Sequence, residues 1–141
     1  MGGEPHETAK ALCYSRVAHA NPGLLDWQSR QNVKYAREQG YNVVVRIEES
    51  GSGRCMSRPG IWQMMMYMER HDFDMLIIDN LSRLGRDLAH VLPLLRRLRE
   101  NGIRVVSPRQ GNLDELIEQL SVLDNGIREI AAERGVPDEV V

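Results

Sequence analysis

Arginine is the chemically informative residue of this 141-residue chain. Of its 18 basic residues only Lys10 and Lys34 are lysine. A guanidinium presents a planar fork of donors that matches phosphate or carboxylate, whereas an ammonium is a point charge. Three short stretches deliver arginine: Tyr14-Ser15-Arg16-Val17-Ala18, then Ser50 to Arg58, then Asn80 to Arg86. Taken singly, a loop arginine is ordinarily solvated. Brought together, Arg16, Arg58, Arg83 and Arg86, with Arg54 a fifth, would repel one another unless an anion lay between them. A phosphate, whose oxygens take bidentate arginine contacts, is the expected guest. Gly51 and Gly53 suit either a backbone cradle for that anion or a plain turn, and no nucleotide-binding glycine fingerprint accompanies them.

Such convergence needs a scaffold that ends several strands on one edge. Lys10 to Val17 reads as a strand, Leu24 to Gln39 as a helix closed by Gly40, and Tyr41 to Ile47 as a second, β-branched strand. Glu48 to Arg58 is loop by composition, and Pro59 opens a helix to about Arg70. Asp74 to Asp79 reads as a strand buried on both faces, Asn80 to Arg86 as a loop, and Asp87 to Asn101 as a helix closed by Gly102. Pro93, inside that helix, predicts a kink or a start nearer Val91. Ile103 to Ser107 is the fourth strand, and Asn112 with Glu115 resembles a capping box opening a last helix to about Arg134. This alternation predicts a three-layer α/β fold: a mainly parallel sheet of four to five strands, helices on both faces, and a long C-terminal helix. Ligands of open sheets bind at the carboxyl ends of the strands, where all three arginine stretches fall. Residues 1–9 are expected to be a flexible leader, 10–112 the core, 113–134 the long helix and 135–141 a tail.

Composition narrows the class. The chain is 42% hydrophobic and 27% charged, with net charge −2. That excludes a disordered tail, a collagen-like repeat and a disulfide mini-protein, and it excludes coating of polyanions by bulk charge. No apolar run approaches the ~20 residues of a membrane helix. The N-terminus lacks the apolar region of a secretory signal, and Cys13 and Cys55 fit reduced thiols. A cytoplasmic location, without membrane contact, is expected.

The arginine stretches also carry a resemblance. Tyr14-x-Arg16-Val17, then Ser50-Gly51 with Arg58-Pro59-Gly60, then Arg83-Leu84-Gly85-Arg86-Asp87 resemble, in order and spacing, the catalytic domain of the serine recombinases (resolvases and invertases). Leu24 to Gln28 is similar to the start of the first helix there. Leu120 through Arg134 is similar to the long helix by which those proteins dimerise and reach DNA. The likeness covers about residues 10–134. It implies a transesterification needing neither metal nor cofactor, in which a serine hydroxyl attacks a DNA phosphate. That attack leaves a 5′-phosphoserine link and a free 3′-hydroxyl, and subunits then exchange strand ends in a tetramer. The roles it implies are Arg16, Arg58, Arg83 and Arg86 around the phosphate, Ser50 hydrogen-bonding in the site, Tyr14 in support and Gln28 holding the first loop. The partners it implies are DNA and further copies of the chain, as dimer or tetramer through residues 113–134.

The departures matter more. The family's nucleophilic serine follows its Arg-Val pair, and here that position is Ala18. A methyl group forms no phosphoester, and loss of a nucleophile can cost about six orders of magnitude in rate. The chain is therefore expected not to cleave DNA by the family's route. Ser15 has the opposite strand parity to Arg16. Ser52, Ser57 and Ser82 sit in the right loops but not at the nucleophile's place. Cys55 lies near arginines that would lower its pKa, yet loop cysteines are ordinarily inert. His19 is read as a solvated loop histidine. Ser82 precedes Arg83 where the family's resolvases carry aspartate, and Asp79 is the expected substitute. The connection from Ser107 to Asn112 is shorter than in resolvases. No helix-turn-helix module occurs before Val141, so sequence-specific recognition is not assigned to this chain.

The remaining features read as structure. Met64, Met65, Met66 and Met68 are expected to fill an irregular core. Trp27, Trp62 and Phe73 are too few for single-strand stacking platforms. Leu113, Leu116, Ile117, Leu120, Leu123, Ile127 and Ile130 form a helical stripe expected to be shared with a second subunit. Two rival functions remain at this stage: a non-catalytic dimerisation module, and a flavodoxin-like binder of a small ligand at the strand ends.

Overall fold

The computed structural model describes residues 8–133, so most of the expected leader, Arg134 and the tail at 135–141 lie outside the described residues. Five strands and four helices alternate: β1 (Lys10–Val17), α1 (Pro22–Glu38), β2 (Asn42–Ser50), α2 (Pro59–Glu69), β3 (Met75–Ile77), α3 (Leu88–Glu100), β4 (Arg104–Ser107), β5 (Gly111–Asn112) and α4 (Asp114–Glu133). A single 3-10 turn, Leu81–Arg83, follows β3. The sheet runs β2-β1-β3-β4-β5, parallel except for the β4–β5 pair. Among the described residues no helix is long and apolar enough to cross a membrane.

Alternation along β1 builds two cores. Ala11 and Cys13 join Met75, Ile77 and Val106 against Val33 and Ala36 of α1. Leu12 and Tyr14 face the other way, onto Met64 and Met68 of α2, Leu92 and Leu95 of α3, Leu113 just before α4 and Ile117 in its first turn. One helix covers one face and three cover the other. The expected three-layer α/β sheet is what the chain forms.

Boundaries differ where caps and neighbours decide them. α1 starts two residues early because Asn21 Oδ1 accepts from the Leu24 amide at 3.2 Å and Pro22 suits the first turn. β2 continues three residues past Ile47, since Glu48, Glu49 and Ser50 pair with Ser15, Arg16 and Val17 of β1. α3 begins at Leu88, capped by Asp87, and runs through Pro93 without restarting at Val91. Asn112 belongs to β5; its side chain accepts from the Asp114 amide at 2.7 Å, and α4 opens two residues later. Of the methionines, Met64 and Met68 are buried and Met65 packs against the core, but Met66 is exposed.

Candidate functional site

The order β2-β1-β3 reverses direction at β1, and the carboxyl ends of β1 and β3 leave a crevice at such a reversal. A cleft of about 510 Å³ lies there. Arg16, Ala18 and His19 line it from the end of β1, Ser52, Gly53 and Arg54 from the loop after β2, and Ser82 and Arg86 from the turn after β3. A larger hollow of about 700 Å³ sits on α2 beside Trp62, Met66 and Tyr67, but its walls are mostly apolar and gather no set of cations.

Arg16 shares the parity of Leu12 and Tyr14 and so points to the α2 side of the sheet. Arg16 is 6% exposed, and its guanidinium donates three times at 2.8 Å: Nε to the Arg83 carbonyl, Nη1 to that of Gly51 and Nη2 to that of Ser82. It thereby ties the loop after β2 to the turn after β3. Burial, with Arg58 alongside and Arg83 beyond it, lowers the Arg16 pKa. Ser15 faces α1 instead, where Asn32 Nδ2 donates to its Oγ at 3.2 Å.

Arg58, at the start of α2, is 5% exposed. Its Nη2 donates to the Leu84 carbonyl at 2.5 Å and to Tyr14 Oη at 2.9 Å, and its Nη1 to the Cys55 carbonyl at 2.6 Å. Its Nε reaches Glu49 Oε2 at 3.3 Å. Tyr14 donates its hydroxyl to the same Glu49 oxygen, and Glu49 Oε1 accepts from the Gly60 amide at 2.9 Å. Burial, then the Glu49 contact, raises the Tyr14 pKa. Glu49 is thus the counter-charge of Arg58, a role the sequence reading missed by placing residue 49 in a loop. The period-2 alternation from buried Ile47 is the signal that could have found it.

Arg83 Nη1 donates to the Arg16 carbonyl at 3.2 Å, and its Nη2 lies 3.4 Å from Asp79 Oδ2. Its Nε is buried without a partner among the described residues. Asp79 is held more closely by Arg109, whose Nε and Nη2 reach its two oxygens at 2.9 and 2.5 Å. Arg109 was also missed, because it comes from the β4–β5 connection rather than from an arginine motif. Gln28 is buried and donates to the Arg16 carbonyl at 3.2 Å.

The cleft therefore gathers Arg16, Arg86 and Ala18. Arg58 and Arg83 stand outside its lining, and Ser50 is exposed at the end of β2 with no side-chain hydrogen bond among the described residues. His19 is exposed at the cleft. Cys55 is exposed, with Sγ 3.0 Å from Ser57 Oγ, a contact that lowers its pKa.

The family model described as "Resolvase, N terminal domain" matches residues 11–133. The chain belongs to the resolvase family. This resolvase domain is 36% identical over 57 residues to the DNA-invertase of Escherichia phage P1, a match spanning 40% of this chain and 30% of the invertase. It is similar to the N-terminal catalytic domain of TP901-1 integrase, with a TM-score of 0.75 and 25% identity over 86% of this chain and 98% of that one. A resolvase family site-specific recombinase from Streptococcus pneumoniae shares the fold, with a TM-score of 0.65 and 17% identity over 91% and 95% of the two chains.

Proposed function

We propose that this resolvase domain holds a DNA phosphodiester at the β1–β3 cleft in the manner of a serine-recombinase catalytic domain, yet does not cut it. The observation that carries this reading is Ala18 opening onto the same cleft as Arg16 and Arg86. A phosphoryl transition state gathers negative charge on its equatorial oxygens, and arginines already in place stabilise that charge. What the cleft lacks is an attacking oxygen at position 18. Ser52 and Ser82 also line it, but neither follows the Arg-Val pair, and Ser82 Oγ donates to Asn80 Oδ1.

In this reading Arg16, Arg83 and Arg86 act on the phosphate, Arg58 and Tyr14 brace the site, Asp79 orients Arg83, and Gln28 holds the end of β1. Ser50 is a hydroxyl for substrate, since nothing in the described chain occupies it. The test is Ala18→Ser, incubated with candidate recombination-site DNA and resolved under denaturing conditions. A covalent protein–DNA band with the variant, and none with the parent, is expected. Absence of the band when the variant carries a DNA-binding module and a good site would overturn the reading.

A second reading has its own support. The outer half of α4 leaves Val122, Leu123, Ile127 and Ile130 exposed, an apolar face suited to another copy of the chain. A domain without a nucleophile but with that face would act through mixed assembly, as a dimer or tetramer. Light scattering across the micromolar range decides this: a strict monomer removes it.

A further inference from the structure

The arginines at the cleft fall into two kinds. Arg16 and Arg58 hold their donors against main-chain carbonyls of the cleft walls. Arg54 and Arg86 are exposed, and their guanidiniums make no hydrogen bond or ion pair among the described residues. Asp87, the nearest acid in sequence to Arg86, is engaged elsewhere: it caps α3 through the Ala89 amide at 3.0 Å and faces His90 at 3.7 Å.

The two free arginines are also stitched together. The Arg86 amide donates to the Gly53 carbonyl at 2.7 Å, so Arg54, the next residue, and Arg86 rise from adjoining points of the mouth. That bridge depends on glycine, because a Cβ at Gly53 would lie 2.9 Å from Arg16 Nη2 and 3.1 Å from the Arg86 amide. Two exposed arginines that line one cleft without a carboxylate partner among the described residues suit an anion between them. We propose that Arg54, which the sequence offers only as a fifth member of the arginine cluster and which lies outside the matched family motifs, forms with Arg86 the phosphodiester-capturing rim of this cleft. This rests on the phosphate reading of the cleft and adds a capturing residue to it.

The experiment measures binding of the whole chain to a short fluorescein-labelled DNA duplex by anisotropy, over a series of salt concentrations. Arg54→Gln and Arg86→Gln are compared with Arg104→Gln, a charge-matched control at the start of β4, the opposite end of the sheet. One phosphate contact contributes about 0.9 to the slope of log affinity against log salt, which is about eightfold in affinity at 0.1 M salt. Arg54→Gln and Arg86→Gln are each expected to weaken binding about eightfold and flatten the slope by about 0.9, with Arg104→Gln unchanged. All three substitutions are on exposed side chains, and circular dichroism verifies that each variant folds. If Arg86→Gln weakens binding while Arg54→Gln behaves like the control, the rim proposal fails and the cleft keeps its phosphate role. If the duplex does not bind, or neither cleft variant departs from the control, both readings fail together. Displacement of the duplex by inorganic phosphate at matched ionic strength would mark a small-anion site and overturn the assignment to DNA.

Discussion

Tyr14, Arg58 and Gly60 all meet one carboxylate, Glu49, at the inner wall of the site. Removing one partner of a buried ion pair strands the other charge, at a cost of about 3–5 kcal/mol. Glu49→Gln is therefore expected to lower unfolding free energy by about 3 kcal/mol in a urea titration, against about 2 kcal/mol for Tyr14→Phe, which deletes two hydrogen bonds but leaves the ion pair in place. Equal losses would refute Glu49 as the counter-charge. Cys13 gives a pH signature at the same scale. Burial pushes its thiol from 9.0 up to about 12. Below pH 9 both folded and unfolded thiols are protonated; above it only the unfolded one ionises, so stability is lost as pH rises from 9 towards 12. Tyr14 adds the same sign above pH 10. Cys13→Ala should flatten the fall in urea midpoint between pH 9 and 10. The exposed and motif-bearing arginines were legible in the sequence because residue type alone advertises them. Where Arg16 and Arg58 send their donors was not, because main-chain carbonyls of distant loops have no sequence signature.

Helix α2 makes a close approach to the end of β2 at Gly60. A Cβ at Gly60 would run into the Glu49 carboxylate, and the Gly60 amide donates to it. Gly60→Ala is expected to destabilise the domain by about 1–3 kcal/mol, as overpacking does. Combined with Glu49→Ala it should cost less than the sum of the single changes, since the clash is gone. Additive losses in that cycle would place the strain elsewhere. Element types were readable throughout from periodicity and breakers. Their ends were not, because partners fix them: β2 runs to Ser50 because β1 is alongside it, and Asn21 rather than Leu24 sets the start of α1. Two-residue β5 had no pattern to display, and Asn112 with Glu115 mimicked a cap.

On the scale of the whole molecule, α4 divides lengthwise in its duties. Leu113 and Ile117 close the core over α3, and Arg99–Glu118 and Arg96–Asp124 tether the helix from outside, the latter pair at 3.5 Å. Beyond that point Ile127 and Ile130 face solvent. Ile117→Ala should cost about 2–5 kcal/mol in chemical denaturation, whereas Ile127→Glu should stay within about 0.5 kcal/mol. A large loss from Ile127→Glu at low protein concentration would mean that the outer half also belongs to the domain core. The expectation that this stripe is shared began from helical spacing. Spacing could not say which turns the domain keeps for itself, since that depends on where α3 ends.

The strand order has a mechanical corollary. The wall bearing Ser52, Gly53 and Arg54 hangs from β2, which has β1 as its one neighbour at the sheet margin, whereas the wall bearing Ser82 and Arg86 is rooted in β3, flanked on both sides. The cleft resembles a vice with one fixed jaw and one sprung jaw. Breathing should be lopsided: amide hydrogens from Gly51 to Ser57 should exchange ahead of those from Ile78 to Leu84, and whatever the vice grips will be admitted from the margin side.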